Sequence, residues 1–192
     1  MTDDPLALFT AWFREAEEAG VDVPETMTLA TADSDGAPSA RMVLLKGADE
    51  DGFVFYSGYV SRKAGELERN PRAALVFYWR PLGKQVRVEG RVERVSEAES
   101  ANYFATRPRG SQLAAWASQQ SEPLAGREEL DRRYAELGRE YEGREVPLPS
   151  HWGGFRLRPD AIEFWQHRDN RLHDRIRYTR AREGWRPELL SP

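Results

Sequence analysis

The first regular pattern along the chain is a stripe of apolar residues with helical spacing. Asp4 is a suitable N-cap, Pro5 suits the first helical position, and Gly20 fits the end of a helix. The pattern predicts an amphipathic helix that packs against a core. Its apolar positions are Leu6, Phe9, Phe13 and Ala16.

Short apolar or alternating segments follow this helix, and they predict β-strands. Residues 73–79 are too apolar for a strand with one face in water, so we expect both of its faces to be buried. Val86, Val88 and Val92 alternate with charged residues, which predicts a strand with one solvated face. The other predicted strands are residues 27–31, 40–46, 53–57, 162–166 and 176–179.

Four further helices are predicted between and after these strands, over residues 61–69, 96–104, 111–119 and 127–141. Ser96 and Glu99 have the spacing of a capping box. The last helix is so highly charged that we expect it on the surface. Gly153 and Gly154, which follow two prolines, indicate a loop, and Gly184 indicates a turn into the tail.

These elements predict one α+β domain over residues 1–192, with a mostly antiparallel sheet of about six or seven strands and peripheral helices. Strands that lie so close in sequence favour a barrel or a strongly curled sheet. The length suits a single core, since two domains of such a chain would be small.

Charge and hydropathy exclude several classes of protein. The chain has 28 basic and 32 acidic residues, a net charge of -4 that argues against a nucleic-acid partner. No apolar run is long enough to span a bilayer. The acidic start, Met1 to Asp4, lacks the layout of a signal peptide, so we expect a cytoplasmic protein.

The chain has no cysteine, which excludes disulfides, thiolate metal sites, iron–sulfur clusters and cysteine nucleophiles. Its three histidines, His151, His167 and His173, lack the spacing of metal ligands, so no metal site is expected. The sequence also lacks a glycine-rich dinucleotide fingerprint and a P-loop.

Arg41 and Lys46 bracket an apolar strand. Residues five positions apart face opposite sides of a regular strand, so the two cations are expected to serve different ligands, or to be strand-end charges in water.

A second candidate lies where a strand that carries Tyr56 and Ser57 leads to Ser61, Arg62 and Lys63 at a helix start. Helix N-termini and adjacent cations favour anions, which makes this segment a candidate phosphate site. A capped surface helix is the alternative interpretation.

Tyr103, Arg107 and Ser111 recur every four residues. Pro108 predicts a break between them, so the three side chains are expected to converge at a corner between two helices. Three donors of this kind suit a phosphate monoester, although an ordinary helix end is also compatible with the pattern.

Arg171, His173 and Arg175 alternate along the chain, so in an extended conformation they would share one face. Three cationic or protonatable groups on one face repel one another. This pattern therefore indicates a nearby anion or electron-rich ring.

These segments, in this order, resemble the pyridoxine (pyridoxamine) 5'-phosphate oxidase family over nearly the whole chain. Any one matching string is weak, but nine strings in the order of the family are specific. The strings occupy residues 41–46 (RMVLLK), 55–57 (FYS), 61–63 (SRK), 84–86 (KQV), 103–112 (YFATRPRGSQ), 115–121 (AWASQQS), 152–156 (WGGFR), 163–166 (EFWQ) and 171–175 (RLHDR).

The resemblance implies an FMN-binding split β-barrel and a homodimer with FMN at the subunit interface. It implies FMN-dependent oxidation of pyridoxine or pyridoxamine 5'-phosphate by O2, giving pyridoxal 5'-phosphate and H2O2. It implies cofactor contacts from Arg41, Tyr56, Ser57, Arg62, Lys63, Gln85, Gln120, Ser121, Trp165 and Arg175. It implies substrate contacts from Lys46, Tyr103, Arg107 and Ser111, with Arg171 and His173 over the substrate ring as the catalytic pair.

The chain differs from many members of the family at its N-terminus. Family members often begin with an extra segment that covers the substrate, whereas this chain starts close to its first helix.

Three alternative functions remain open. A related flavin oxidase of the phenazine-pathway type is one of them, and a flavin-binding module without turnover is another. A nucleic-acid-binding barrel would use basic and aromatic residues, but the acidic balance argues against it.

Overall fold

The computed structural model describes residues 3–192, so Met1 and Thr2 of the acidic N-terminus lie outside the described residues. The helices are α1 (Pro5–Glu18), α2 (Arg62–Arg69), α3 (Glu97–Thr106), α4 (Arg109–Ala117) and α5 (Arg127–Glu140). The strands are β1 (Thr26–Ala32), β2 (Pro38–Leu44), β3 (Gly47–Asp49), β4 (Gly52–Gly58), β5 (Arg72–Trp79), β6 (Lys84–Arg94), β7 (Trp152–Gln166), β8 (Asp174–Arg180) and β9 (Trp185–Leu189).

The strands form one sheet in the order β2-β1-β5-β6-β7-β4-β3, and β8 and β9 extend it from β7. Every pairing among the described residues is antiparallel, which confirms the predicted sheet type. The predicted number of strands was too low. The sequence pattern missed β3, which has three residues, and β9, which contains a proline and lacks an apolar run.

Strand β7 divides the sheet. It pairs with β6 along most of its length, while its first residues pair with β4 and its last residues pair with β8. One long strand therefore joins two groups of strands, and edge strand β2 lies on the far side of the first group. The candidate site lies beside this edge strand.

The predicted first helix is confirmed, and it closes the core. The Asp4 side chain accepts a hydrogen bond of 2.8 Å from the Leu6 amide, as expected of an N-cap. Phe9 is buried, with its ring centroid 4.9 Å from Phe53 and 5.1 Å from Phe77 in edge-on contacts. Edge-on aromatic pairs of this kind contribute about 1 kcal/mol each beyond the buried area.

The other predicted helices are present with shifted ends. Ser96 caps α3 by accepting from the Glu99 amide at 3.1 Å. Helix α5 has no buried residue and is the predicted surface helix. Among the described residues, no helix is long and apolar enough to cross a membrane.

The loop predicted at Gly153 and Gly154 is wrong, because both residues belong to β7. A Cβ atom at Gly153 would lie 2.0 Å from the Tyr59 hydroxyl, and one at Gly154 would lie 2.8 Å from the Tyr56 ring. Glycine is needed here because aromatic rings lie directly against the strand, not because the chain turns.

The expectation that both faces of β5 are buried is wrong for the single chain. Leu75 and Phe77 on the inner face are fully buried, whereas Tyr78 on the other face is 56% exposed. Met42 and Leu44 of β2 are also exposed and lie on the same outer face, since Met42 pairs with Thr28 and Thr28 pairs with Val76. The outer face of β2 and β5 is therefore largely apolar and open.

Candidate active site

A cavity of about 730 Å³ lies beside β2, between this edge strand, the end of β4, the start of α2 and the corner between α3 and α4. Its volume falls in the range of small-molecule and cofactor pockets. Ten of the residues predicted for the site line it: Arg41, Lys46, Tyr56, Ser57, Arg62, Lys63, Tyr103, Arg107, Gln120 and Ser121.

The first cationic cluster of the cavity is built on the buried carboxylate of Glu66. Arg62 donates to Glu66 at 2.8 Å, and Arg41 lies 3.3 Å from it. The hydroxyls of Thr31 and Ser39 each donate to the same carboxylate at 2.6 Å. Burial alone would raise the pKa of Glu66, but these hydrogen bonds outweigh it and lower the pKa to about 2.

Lys63 of the first cluster is buried without a carboxylate partner. Its Nζ donates to the hydroxyls of Ser57 at 2.9 Å and Ser61 at 3.0 Å, and no ion pair to it is present among residues 3–192. Burial, with the charge of Arg41, lowers the pKa of Lys63 to about 8 although Glu66 opposes the shift. An ammonium group in this position is stabilised by an anion that enters the cavity.

The second cationic cluster lies at the corner between α3 and α4. As predicted, Pro108 separates the two helices, and Tyr103 and Arg107 line the cavity on one side of it. Ser111 does not line the cavity. The Nη1 atom of Arg107 is buried and has no hydrogen-bond partner among the described residues, and burial lowers the pKa of this guanidinium.

Lys46 also belongs to the second cluster, and its predicted orientation is wrong. Arg41 and Lys46 were expected on opposite sides of a strand, but both line the same cavity. The reason is that β2 ends at Leu44, after which the Lys46 amide donates to Val54 of β4 at 2.8 Å. The alternation of a regular strand therefore does not extend to Lys46. Its Nζ lies 3.7 Å from a carboxylate oxygen of Glu25.

Three aromatic rings form a stack along one wall of the cavity. The ring of Tyr56 lies 3.9 Å from Tyr103 and 5.5 Å from Trp152, all nearly parallel. Burial, with the negative charge of Glu99, raises the pKa of Tyr56 to about 12, and burial also raises that of Tyr103. Both phenols are thus protonated at neutral pH and can donate hydrogen bonds.

Sequence reasoning missed three side chains that are important for the site. Trp152 and His151 line it, and Glu66 holds two of its arginines. Trp152 lies inside one of the matching sequence strings, which was a usable signal. The spacing of Arg62 and Glu66 indicates only a helical ion pair, and no local pattern indicates the wider network around Glu66.

The remaining five predicted residues do not line the cavity: Gln85, Trp165, Arg171, His173 and Arg175. Gln85 pairs with Trp165, which pairs with Arg175, so these three form a row across β6, β7 and β8. The row continues to the exposed Tyr78, which pairs with Gln85. It therefore lies on the open outer face of the sheet.

Arg171 and His173 occupy the connection between β7 and β8, and the predicted shared face with Arg175 is wrong. Asn170 and Arg171 have left-handed backbone conformations, with φ of 56° and 62°, so the chain is not extended before Asp174. The His173 ring lies 4.4 Å from Trp165. Arg175 pairs with Glu163 at 2.8 Å, which neutralises its charge.

The fold and the cavity together define a split barrel with an anion-binding site. The structure is similar to an FMN-binding protein related to pyridoxamine 5'-phosphate oxidase from Nostoc punctiforme, with a TM-score of 0.78 at 17% identity over 100% of both chains. It is also similar to PhzG from Burkholderia lata in complex with tetrahydrophenazine-1-carboxylic acid, with a TM-score of 0.95 and 34% identity over 100% of this chain and 94% of that one.

Sequence comparison gives the family. Residues 13–139 match the model of pyridoxamine 5'-phosphate oxidase, and residues 152–192 match the C-terminal dimerisation region of pyridoxine 5'-phosphate oxidase. The chain is 62% identical over 189 residues to a pyridoxine/pyridoxamine 5'-phosphate oxidase of Rubrobacter xylanophilus, covering 98% of this chain and 87% of the relative. A relative of the same description from Salinibacter ruber is 54% identical over 195 residues, 100% of this chain and 91% of that one. The chain belongs to the pyridoxine/pyridoxamine 5'-phosphate oxidase family.

The residues present fit a flavin mononucleotide. A buried ammonium without a carboxylate, at Lys63, and two arginines held in place by Glu66 suit a phosphate group. The cavity is large enough for a ligand with a ring system, and the unpartnered Arg107 leaves a second place for an anion.

We predict that Glu66→Gln destabilises the fold by roughly 3 kcal/mol at pH 7, because it removes a buried charge that four donors share, three of them buried or half-buried. Since the folded-state pKa of Glu66 is depressed to about 2, its contribution is fully present above its ordinary pKa of 4.5. The contribution is lost as the pH falls from 4.5 toward 2. Urea unfolding of wild type and variant over this range measures both effects.

Glu68→Gln is the matched control, since Glu68 is exposed on the same helix. It should change the free energy of unfolding by less than about 0.5 kcal/mol. Equal stability of Glu66→Gln and wild type at pH 7 would contradict the proposed role of the buried carboxylate.

Proposed function

We propose that this protein catalyses the FMN-dependent oxidation of pyridoxine 5'-phosphate or pyridoxamine 5'-phosphate by O2 to pyridoxal 5'-phosphate with release of H2O2. Oxidation of the amine also consumes water and releases ammonia. The observation that supports this most directly is the presence of two cationic clusters in one cavity. Each has a cation without a carboxylate partner among residues 3–192, the buried Lys63 in one and the half-buried Arg107 in the other. The reaction needs two phosphate sites, one for the cofactor and one for the substrate.

The first cluster holds the cofactor phosphate. Arg41, Arg62 and Lys63 supply charge and donors, and Ser57 lies beside Lys63. Gln120 accepts from Ser57 and from the Gly58 amide, each at 3.0 Å, so the segment that follows α4 is fixed against this site. FMN supplies an acceptor for two electrons that O2 can reoxidise, chemistry that no side chain offers.

The second cluster holds the substrate phosphate. Arg107 supplies an unpartnered guanidinium, Lys46 a second positive charge, and Tyr103 a phenol that stays protonated. Charge-assisted hydrogen bonds from such groups fix one end of a small substrate, so its ring can be held in one orientation. Ser111 lies on the first turn of α4, next to this cluster in sequence, and completes the proposed set.

The active site is proposed to form between two chains. Gln85, Trp165 and Arg175 lie on the open outer face of the sheet, which also carries the exposed Tyr78 and Met42. The match of residues 152–192 to a dimerisation region supports a homodimer. Pairing of two such faces would bring this row of one chain to the cavity of the other, with FMN at the interface.

Arg171 and His173 are the proposed catalytic residues. Arg171 would orient the oxygen or nitrogen substituent of the carbon that is oxidised, because its exposed guanidinium offers several donors. His173 Nδ1 accepts from the Arg168 amide at 3.1 Å. The neutral ring therefore carries its proton on Nε2, where it can donate to the substrate.

A related oxidase that acts on a phenazine precursor is the second candidate, and the likeness to PhzG favours it. The relatives described as pyridoxine/pyridoxamine 5'-phosphate oxidases argue for the phosphorylated substrate, since this chain is 62% and 54% identical to two of them and 34% identical to PhzG.

The test is an assay of purified protein loaded with FMN, given pyridoxine or pyridoxamine 5'-phosphate in air. We expect pyridoxal 5'-phosphate and H2O2 in equal amounts, and the two rates rank the substrates. Bound flavin with neither product would exclude the proposed reaction, and a dihydrophenazine carboxylate would then be tested as substrate. Bound flavin that turns over no substrate would identify a flavin-binding module.

We predict that Arg171→Ala lowers kcat by at least 100-fold while FMN remains bound, because the residue contacts the reacting part of the substrate and not the cofactor phosphate. Steady-state kinetics with a measured flavin content test this. Arg182→Ala, a change at an exposed position between β8 and β9, is the control and should keep kcat within about threefold. A wild-type kcat for Arg171→Ala would contradict its catalytic role.

We predict that the affinity for FMN is constant between about pH 7 and 8 and falls above pH 8. Because the pKa of Lys63 is lowered to about 8, the free protein loses the positive charge of Lys63 as the pH rises above 8. The FMN phosphate remains a dianion over the same range. Titrations that follow the quenching of flavin fluorescence measure the dissociation constant from pH 7 to 9.5.

Lys63→Met should weaken FMN binding by roughly 10- to 100-fold at pH 7, the range for a charge-assisted hydrogen bond, and should flatten the decline above pH 8. Riboflavin, which lacks the phosphate, should bind wild type and variant alike. The same pH dependence in wild type and Lys63→Met would show that another group is responsible.

A further inference from the structure

The guanidinium of Arg107 has an aromatic partner and no acidic one. Its Cζ lies 4.6 Å from the centroid of the Trp152 ring and 5.8 Å from that of Phe104. No ion pair to Arg107 is present among the described residues, and its Nη1 has no hydrogen-bond partner. Arg41 and Arg62 differ in this respect, since both are held by Glu66.

Trp152 is a rigid support. It is 9% exposed, and it begins β7 opposite Gly58 of β4. Its ring is nearly parallel to Tyr56, with 12° between the planes, and Phe104 contacts it edge-on at 5.3 Å. The two glycines that follow Trp152 let Tyr59 and Tyr56 lie directly against the strand, which keeps the Tyr56 ring next to Trp152.

An aromatic support has a chemical advantage over a carboxylate at this position. The face of an indole stabilises a cation without occupying any of its N–H donors. A carboxylate would take one or two of these donors and would repel an incoming phosphate. The arrangement keeps the guanidinium in place while its donors remain free.

We propose that Trp152 is a positioning residue for the substrate phosphate, which acts by holding the guanidinium of Arg107 against its ring. This inference rests on the proposed function for one point, the identification of the bound anion as the phosphate of the substrate. Trp152 need not contact the reacting carbon, so its effect is on the binding of the phosphate ester and not on the chemical step.

The experiment is a double-mutant cycle on the FMN-loaded protein with Trp152→Leu, Arg107→Met and both changes together. Equilibrium dialysis measures the dissociation constant of pyridoxal 5'-phosphate, the phosphate ester used as probe, and steady-state assays measure KM and kcat. We expect Trp152→Leu to raise the dissociation constant and KM about tenfold and to leave kcat within twofold. Trp152→Phe, which keeps an aromatic face, should have a smaller effect, of about threefold.

The decisive result is the coupling between the two sites. If Trp152 acts through Arg107, Trp152→Leu has no further effect once Arg107 is methionine, so the double variant binds like Arg107→Met. Independent effects that multiply would overturn the inference. The inference would also be overturned if Trp152→Phe lost affinity for FMN by the same factor as for the phosphate ester, because that result indicates a general disturbance of the cavity.

Trp116→Leu is the matched control. Trp116 belongs to the same aromatic cluster, but it does not line the cavity, and its indole N–H donates to Pro147 at 2.7 Å. Trp116→Leu should leave the dissociation constant of the ester within twofold.

The failure of this inference can be told from the failure of the proposed function. If the cycle shows the expected coupling but the wild-type protein does not oxidise the substrates, the proposed reaction is excluded and this inference is retained. Turnover of the substrates together with independent effects of the Trp152 and Arg107 changes would support the proposed reaction and overturn this inference.

Discussion

The constraint on which this structure depends is the burial of positive charge that no carboxylate neutralises within residues 3–192. A buried cation is costly unless it is paired. In the part of the chain that the structure describes, neither the buried Lys63 nor the half-buried Arg107, whose Nη1 is buried, has a carboxylate partner. Around Lys63, the first turn of α2 and the end of β4 supply only hydroxyl groups. Such a site is preorganised for an anion, because the fold has already met the cost of placing the charges.

Local sequence patterns predicted those parts of the site that depend on local structure. The break at Pro108 separates two helices wherever they pack, so the corner that carries Tyr103 and Arg107 could be predicted. The network of Glu66 could not be predicted, because its hydroxyl partners Thr31 and Ser39 lie 35 and 27 positions away along the chain. The packing of α2 beneath β1 and β2 brings them together, and no local spacing records it.

The wrong predictions also arose because a local sequence pattern does not record contacts between distant parts of the chain. Gly153 and Gly154 indicate a turn by composition, but the rings of Tyr56 and Tyr59 require them in a strand. The alternation of Arg171, His173 and Arg175 assumes an extended chain, and the left-handed residues before Asp174 exclude it. For β5 the prediction of two buried faces fails in one chain, since Tyr78 is exposed. The apolar composition of the segment is matched by burial on one face only, because no other part of the described chain covers Tyr78.

The two cationic clusters are built differently, and the difference suits their proposed ligands. In the first, a carboxylate fixes Arg41 and Arg62 permanently, so charge and geometry persist whether or not a ligand is bound. A cofactor that stays through many turnovers needs such a fixed site. In the second, an aromatic ring holds Arg107 and leaves its donors free. A substrate that must bind and leave in every cycle is better served by a support that does not compete for those donors, since each exchange then breaks contacts with the ligand and not with the protein.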